Sequence, residues 1–162
     1  MMPRLAVLLL GSACVPALAG PAAAVAADGL AVDRLGGFKG ECASLVIAGV
    51  ASRCADDGGV VYMHLRNKRT IWMVGLADGR SAVAFIGETT QKVPGDRSVL
   101  QLNRVRSGDN PDADPVPVTG TCTYTAKGAS PEALQCQAIG DDGRSYRLDF
   151  RADGTPFSLK QF

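Results

Sequence analysis

The chain is poor in the residues on which most catalytic sites depend. It has one histidine, His64, and one tryptophan, Trp72, and aromatic residues make up 6% of it. A Ser-His-Asp hydrolase would have to use His64 as its base, yet no G-x-S-x-G nucleophile motif accompanies it. The strand pattern predicts that His64 is a polar, solvent-facing residue. A hydrolase with an unrecognised site around His64 is the alternative.

Close cysteine pairs are also missing. Without a C-x2-C motif, neither a structural zinc site nor thiol-disulfide exchange is expected. The glycines lie in turns between strands and never precede a helix, as phosphate-binding loops do. The sequence therefore predicts no cofactor, and we assign no residue as a metal ligand.

Long apolar runs are confined to the N-terminus. Met1 to Arg4 carries one positive charge, Leu5 to Leu10 is uninterrupted and apolar, and the apolar character continues to Leu18. This is the pattern of a secretory signal, and it is shorter than the ~20 residues that cross a bilayer. Small residues follow up to Ala27, and among the cleavage sites after Ala19, Ala26 and Ala27 the later ones are favoured. Residues 1–27 are thus predicted to be a signal peptide, with no transmembrane span after cleavage.

The mature domain has no excess of charge. Cleavage removes Arg4, one of the 17 basic residues, and none of the 16 acidic ones. A neutral domain lacks the electrostatic footprint of a nucleic-acid-binding protein. Residues 28–162 are long enough for one domain.

The cysteines indicate an oxidising compartment. Apart from Cys14, four remain: Cys42, Cys54, Cys122 and Cys136. Of the three pairings, sequence separation favours Cys42 with Cys54 and Cys122 with Cys136, each worth ~3 kcal/mol in the chain-entropy model. Cys14 lies in the signal and suggests an alternative, a lipid-anchored envelope protein, although Gly11 replaces the bulky residue expected before a lipidated cysteine.

Short alternating or β-branched runs between turn residues predict an all-β fold. Asp57-Gly58, Asp78-Gly79, Asp142-Gly143 and Asp153-Gly154 are turn signals. An antiparallel sandwich or a small barrel of about ten short strands is expected, and the strand order that separates the two is not legible. The predicted strands are Phe38 to Cys42, Ser44 to Ala51, Val60 to Leu65, Thr70 to Leu76, Ser81 to Gly87, Ser98 to Arg106, Thr119 to Thr125, Leu134 to Ile139, Ser145 to Arg151 and Phe157 to Phe162.

An internal repeat relates residues 38–77 to residues 118–162. Gly40-x-Cys42, Cys54 and Asp56-Asp57-Gly58 match Gly120-x-Cys122, Cys136 and Asp141-Asp142-Gly143. Equal register assigns equal faces, so Val61, Met63 and Leu65 are predicted to point inward like Tyr146, Leu148 and Phe150. Trp72, aligned with Phe157, is expected in the core. Residues 78–117 have no counterpart in the second half.

Two segments are candidate binding surfaces, and the alternatives are that the first is a connector between the two halves and the second a solvated turn. The unmatched segment contains a loop, Glu88 to Arg97, and an acidic, proline-rich loop, Ser107 to Pro117, whose candidate residues are Asp109, Asp112 and Asp114. With Asn110, or at the Asp56-Asp57 and Asp141-Asp142 turns, these carboxylates would suit calcium, but the EF-hand order is absent and turn chemistry is the simpler interpretation. The basic candidates are Arg66, Lys68 and Arg69 at a hairpin tip, with Arg104 and Arg106 on another strand.

The segment Gly120-Thr121-Cys122 to Cys136, followed by Asp142-Gly143-Arg144 and the strand to Phe150, resembles the C-terminal part of small exported bacterial proteins of unestablished function. The resemblance covers about the last quarter of the chain. It implies export and carries over no catalytic or binding residue.

The sequence therefore predicts a non-enzymatic β domain of the periplasm or extracellular space. The stapled scaffold, the unmatched segment and the lack of a catalytic constellation favour binding of another macromolecule, as an envelope accessory or inhibitor-like protein. The expected partner is a protein or a glycan.

Overall fold

A computed structural model describes residues 31–108 and 114–162, apart from the side chain of Thr89. This part of the chain forms ten strands and no helix. The strands are β1 (Val32–Ile47), β2 (Val50–Ser52), β3 (Gly59–Leu65), β4 (Thr70–Gly75), β5 (Ala82–Val93), β6 (Arg97–Gly108), β7 (Val116–Lys127), β8 (Ser130–Gly140), β9 (Ser145–Ala152) and β10 (Ser158–Gln161). The predicted all-β class is confirmed.

Eight strands close into an antiparallel barrel, which decides between the two predicted architectures. The order is β1-β3-β4-β5-β6-β7-β8-β9, and β9 pairs back onto β1. The first half of β1 also pairs with β10, and its end pairs with β2. β1 pairs with both β3 and β9 because it is long and its register with β9 shifts between Cys42 and Ser44. The two short strands predicted for this region are therefore one strand, followed by a tight turn at Ala48 and Gly49, both with positive φ.

Side chains fill the barrel interior. β8 and β9 alternate buried and more exposed residues, as expected when one face meets the core and the other meets water. An eight-stranded barrel is just wide enough for its own side chains. The largest fully buried ones are Phe85, Phe150, Leu100, Leu134 and Leu148.

Both predicted disulfides are present. Cys122 on β7 and Cys136 on β8 are directly opposite each other, with Cα atoms 4.0 Å apart, and both are fully buried. Cys42 on β1 bonds Cys54, which forms an isolated bridge with Leu76. The Cys122–Cys136 disulfide lies entirely in the core, whereas the Cys42–Cys54 disulfide joins β1 to the segment that follows β2, with Cys54 in the core and Cys42 half-buried beside it.

Strands replace part of the predicted loops. The segment from Glu88 to Arg97 was expected to be a loop, but β5 continues to Val93 and β6 begins at Arg97. A short turn with positive φ at Gly95 and Asp96 joins them. β-bulges beside Gly87 let β5 continue past the end of its pairing with β4.

The predicted inward face of β3 is wrong for Val61 and Met63, whereas Leu65 is buried as predicted. Val60, not Val61, lies in the core, and Tyr62 packs against it from the same face. Tyr62 is paired with the buried Trp72, and paired residues share a face of the sheet. Val61 and Met63 therefore point outward, while the predicted inward face of β9 is correct. The internal repeat aligns β3 and β4 with β9 and β10. β3 and β4 form a hairpin, whereas β9 and β10 each pair with β1. The pairings of the two halves therefore differ, and the repeat stays a prediction.

Candidate functional site

The outer wall of the barrel differs between its two halves. On β7, β8 and β9 the outward side chains are mostly polar, with Ile139 as an apolar exception: Thr121 is paired with Gln137, and Gln137 with Arg147. Near the centre of β1, β3, β4 and β5 the outward side chains are apolar, whereas Lys39 and Glu41 continue the outward face of β1 with exposed charges. The polar half shows that this barrel folds with polar side chains on its outer surface. The apolar side chains of the other half are therefore not required for folding.

Two adjacent rows of outward residues form the apolar half. One row consists of Leu35, Met63, Ile71 and Ile86, and the next of Gly37, Val61, Met73 and Ala84. The side chains of these rows are partly exposed, and Leu35 is 36% exposed. We name the seven side chains other than Gly37 the apolar outer face. Strands that are apolar on both faces are typical of sheets covered on both sides.

Basic side chains border the apolar outer face. Lys160 is paired with Leu35 at one end of the first row, and Arg104 is paired with Ile86 at the other. Arg106 ends the second row beside Ala84. The border therefore carries positive charge on both sides.

The predicted basic hairpin tip joins β3 to β4 and borders the apolar outer face next to the row of Met63 and Ile71. Arg66 and Lys68 are exposed, and Lys68 has a positive φ of 68°. The Asn67 side-chain oxygen accepts a hydrogen bond from the Arg69 backbone N–H, which closes the turn. Arg69 pairs with Glu88 of β5 at 3.7 Å. The charged tip is legible in the sequence, whereas the apolar face that continues from it was not predicted.

A second feature lies inside the barrel, at the end where the β3–β4 hairpin tip is located. Rings from four parts of the chain meet there: Tyr62, Trp72, Tyr124 and Phe157. Trp72 and Tyr124 stack with centroids 5.4 Å apart, and Phe157 packs edge-on to Trp72 at 6.4 Å. A cavity of about 190 Å³ opens beside these rings, with Arg34 and Thr70 in its lining. We name it the mouth cavity.

Burial changes the titration of the mouth tyrosines. Desolvation raises the pKa of Tyr62, while the positive charge of Arg34 and a hydrogen bond with Thr70 act in the opposite direction. Desolvation also raises the pKa of Tyr124. Both phenols therefore stay neutral at physiological pH.

His64 is not the solvent-facing residue that the sequence predicted. It is half-buried, and its Nδ1 lies 3.1 Å from the Thr70 Oγ1. Thr70 is only 4% exposed. The contact satisfies a buried hydroxyl group, which would otherwise be costly.

The acidic candidates do not converge in the part that the structure describes. Asp109 and Asp112 lie outside the described residues, and Asp114 is exposed just before β7. The Asp56-Asp57 and Asp141-Asp142 pairs lie in exposed turns, where the Asp142 carboxylate accepts a hydrogen bond from Arg144 N–H. Within residues 31–108 and 114–162, no three histidine, cysteine or acidic side chains are grouped to hold a metal ion.

Comparison with known proteins adds no assignment. No protein-family model, curated protein or solved structure matches this chain. The described residues include no helix with the length and apolar character to cross a membrane. The function must therefore be argued from the two surfaces described above.

Proposed function

We propose that this protein is an exported, non-enzymatic binding protein whose apolar outer face docks another protein. The observation that carries the proposal is the contrast between the two halves of one barrel wall. β7 to β9 are solvated mainly by threonine, glutamine and arginine, whereas the two adjacent rows across β1 and β3 to β5 hold leucine, isoleucine, valine, methionine and alanine around Gly37. A contiguous apolar patch with a polar rim is the usual mark of a protein interface.

Charge favours a different protein over a second copy. Lys160 and Arg104 lie at opposite ends of the first row, and Arg66 and Lys68 extend the positive border. Two copies that met through this face would bring like charges together, which disfavours association. The expected partner has an apolar centre with carboxylates around it.

The aromatic residues favour a protein partner over a membrane. Proteins that bind at a membrane surface place tryptophan and tyrosine at the interface. Trp72 and Tyr146 are buried here, and Tyr62 and Tyr124 pack against the core. The outer face instead presents methionine and isoleucine, which suit a protein interface better than a polar glycan.

Export is part of the proposal. The apolar segment Leu5 to Leu18 with small residues after it has the form of a secretory signal, and two disulfides suit an oxidising compartment. Mass spectrometry of the purified protein would identify cleavage before Asp28. A lipid adduct at Cys14 would instead indicate the anchored alternative.

Photo-crosslinking in the producing cell tests the docking face. A benzophenone amino acid replaces Ile71 at the centre of the apolar outer face, and Ile139 is the matched control. Ile139 also points outward and is 53% exposed, but it lies on β8 in the polar half. The expected result is a discrete adduct with one other protein from position 71 and none from position 139. Equal adducts from both positions, or an adduct only with lipid or a second copy, would contradict the proposal.

A further inference from the structure

The mouth cavity has a size that limits what it holds. Its volume is about 190 Å³. An apolar protein cavity of about 150 Å³ binds benzene, whereas sites for drug-sized ligands begin near 300 Å³. The cavity is therefore large enough for one ring with a small substituent.

The floor of the cavity is closed. Phe38 lies beneath the rings, 5.9 Å from Tyr124 and 6.2 Å from Phe157 between centroids. Leu100 is almost fully buried and lines the cavity. In residues 31–108 and 114–162, core side chains fill the interior below the rings, which disfavours a long acyl chain as the ligand.

The cavity wall combines flat apolar surfaces with one charge. Trp72, Tyr124 and Phe157 offer ring faces and edges to which a planar ligand can pack. Among the described residues that line the cavity, Arg34 alone has a formal charge, and its side chain is 49% exposed. Its Nε lies 3.5 Å from the Asp33 carboxylate, which leaves the terminal nitrogens of the guanidinium as donors.

The position of Phe157 depends on a glycine. A Cβ at Gly36 would collide with the Ser158 carbonyl and would lie 2.9 Å from the Phe157 ring. Because position 36 lacks a side chain, Phe157 reaches the mouth from the segment that precedes β10. The ring that completes the cavity is thus held by a backbone feature of β1.

We propose that the mouth cavity binds a small aromatic carboxylate, with its ring against Trp72, Tyr124 and Phe157 and its carboxylate paired with Arg34. Charge complementarity with Arg34 selects the anion, and guanidinium-carboxylate pairs are the geometry that arginine favours. The threonine and serine hydroxyls of Thr90 and Ser98 also line the cavity and supply neutral donors. This site is separate from the apolar outer face, which lies on the other side of the barrel wall.

The test uses the intact protein and benzoate as the probe. Trp72 is the only tryptophan of the chain and lines the cavity, so its fluorescence reports on the site directly. The expected result is a saturable change with benzoate and a response to benzyl alcohol that is at least about tenfold weaker. Arg34→Gln should weaken benzoate binding by about tenfold and leave benzyl alcohol binding unchanged.

Two further variants keep the test decisive. Arg104→Gln removes an arginine of the outer wall and should bind benzoate like the natural protein. Arg34→Lys retains the charge and should bind benzoate with intermediate affinity, which covers the case in which Arg34→Gln fails to fold. No saturable response to benzoate, equal binding of benzoate and benzyl alcohol, or dependence on Arg104 in place of Arg34 would overturn the proposal.

Discussion

The two disulfides are predicted to stabilise the barrel by different amounts, although they close loops of nearly equal length. The sequence separations are 12 residues for Cys42–Cys54 and 14 for Cys122–Cys136. In the chain-entropy model each is worth about 3 kcal/mol, and the two differ by only about 0.1 kcal/mol. Loop closure alone therefore predicts equal effects.

Burial separates them. Cys122 and Cys136 are fully buried, and they form one interior row with Leu100 and Leu148. Replacing them with alanine removes two buried sulfur atoms, each about the size of a methylene, so ~1–2 kcal/mol of packing is lost in addition. The other pair is less completely buried, because Cys54 is 9% exposed and Cys42 is half-buried.

We therefore expect Cys42→Ala/Cys54→Ala to lower the free energy of unfolding by about 3 kcal/mol and Cys122→Ala/Cys136→Ala by ~4–5 kcal/mol. Urea unfolding followed by circular dichroism measures both values, with comparable slopes as the check that two-state behaviour holds. Equal losses, or a larger loss for the Cys42–Cys54 pair, would refute the assignment of Cys122–Cys136 to the core.

Three further predictions concern single residues. Side-chain and backbone hydrogen bonds from Ser81 help to lower the pKa of the exposed Asp78 to about 2. The stabilising effect of the Asp78 carboxylate is therefore present above the ordinary carboxyl pKa and fades as pH falls toward 2. In an NMR titration Ser81→Ala should raise the Asp78 pKa, and an unchanged value would contradict this cause. Gly36→Ala should cost ~1–3 kcal/mol in urea unfolding because its Cβ would collide with the Ser158 carbonyl oxygen and crowd the Phe157 ring, and a neutral effect would contradict that packing. His64→Ala should leave hydrolysis of a nitrophenyl ester at the same background as the natural protein, and a rate that depends on His64 would favour the hydrolase alternative.

Local chemistry made part of the fold predictable. Asp-Gly turns and the alternation in β9 correctly placed Tyr146, Leu148 and Phe150 inside. The short loops between cysteines correctly indicated both disulfides. These features depend on neighbours along the chain, so one sequence contains the information for them.

The face of β3 was assigned wrongly because the strand is apolar on both sides. Val60, Val61, Tyr62 and Met63 follow one another, and an uninterrupted apolar run has no period of two. The run itself was the available signal for the apolar outer face, since it indicates a strand covered on both sides. The repeat alignment imposed the pattern of β9 on a strand that does not share it.

The mouth cavity had no local signal. Arg34, Trp72, Tyr124 and Phe157 come from separate parts of the chain and meet only because β9 closes onto β1 and β10 follows along β1. Strand order of this kind depends on long-range pairing. A basic tip, by contrast, is legible from four consecutive residues, and the structure confirms that Arg66 and Lys68 are exposed at a turn.

The affinity of the crosslinked partner for two matched variants tests the central claim most directly. Ile71→Glu and Ile139→Glu make the same change on opposite halves of the barrel wall. Titration calorimetry should show that Ile71→Glu weakens binding by more than about tenfold, because a carboxylate would be buried at the centre of the apolar outer face, while Ile139→Glu stays within about twofold of the natural protein. Equal effects of the two variants, or a larger loss for Ile139→Glu, would contradict the claim that the apolar outer face is the docking surface.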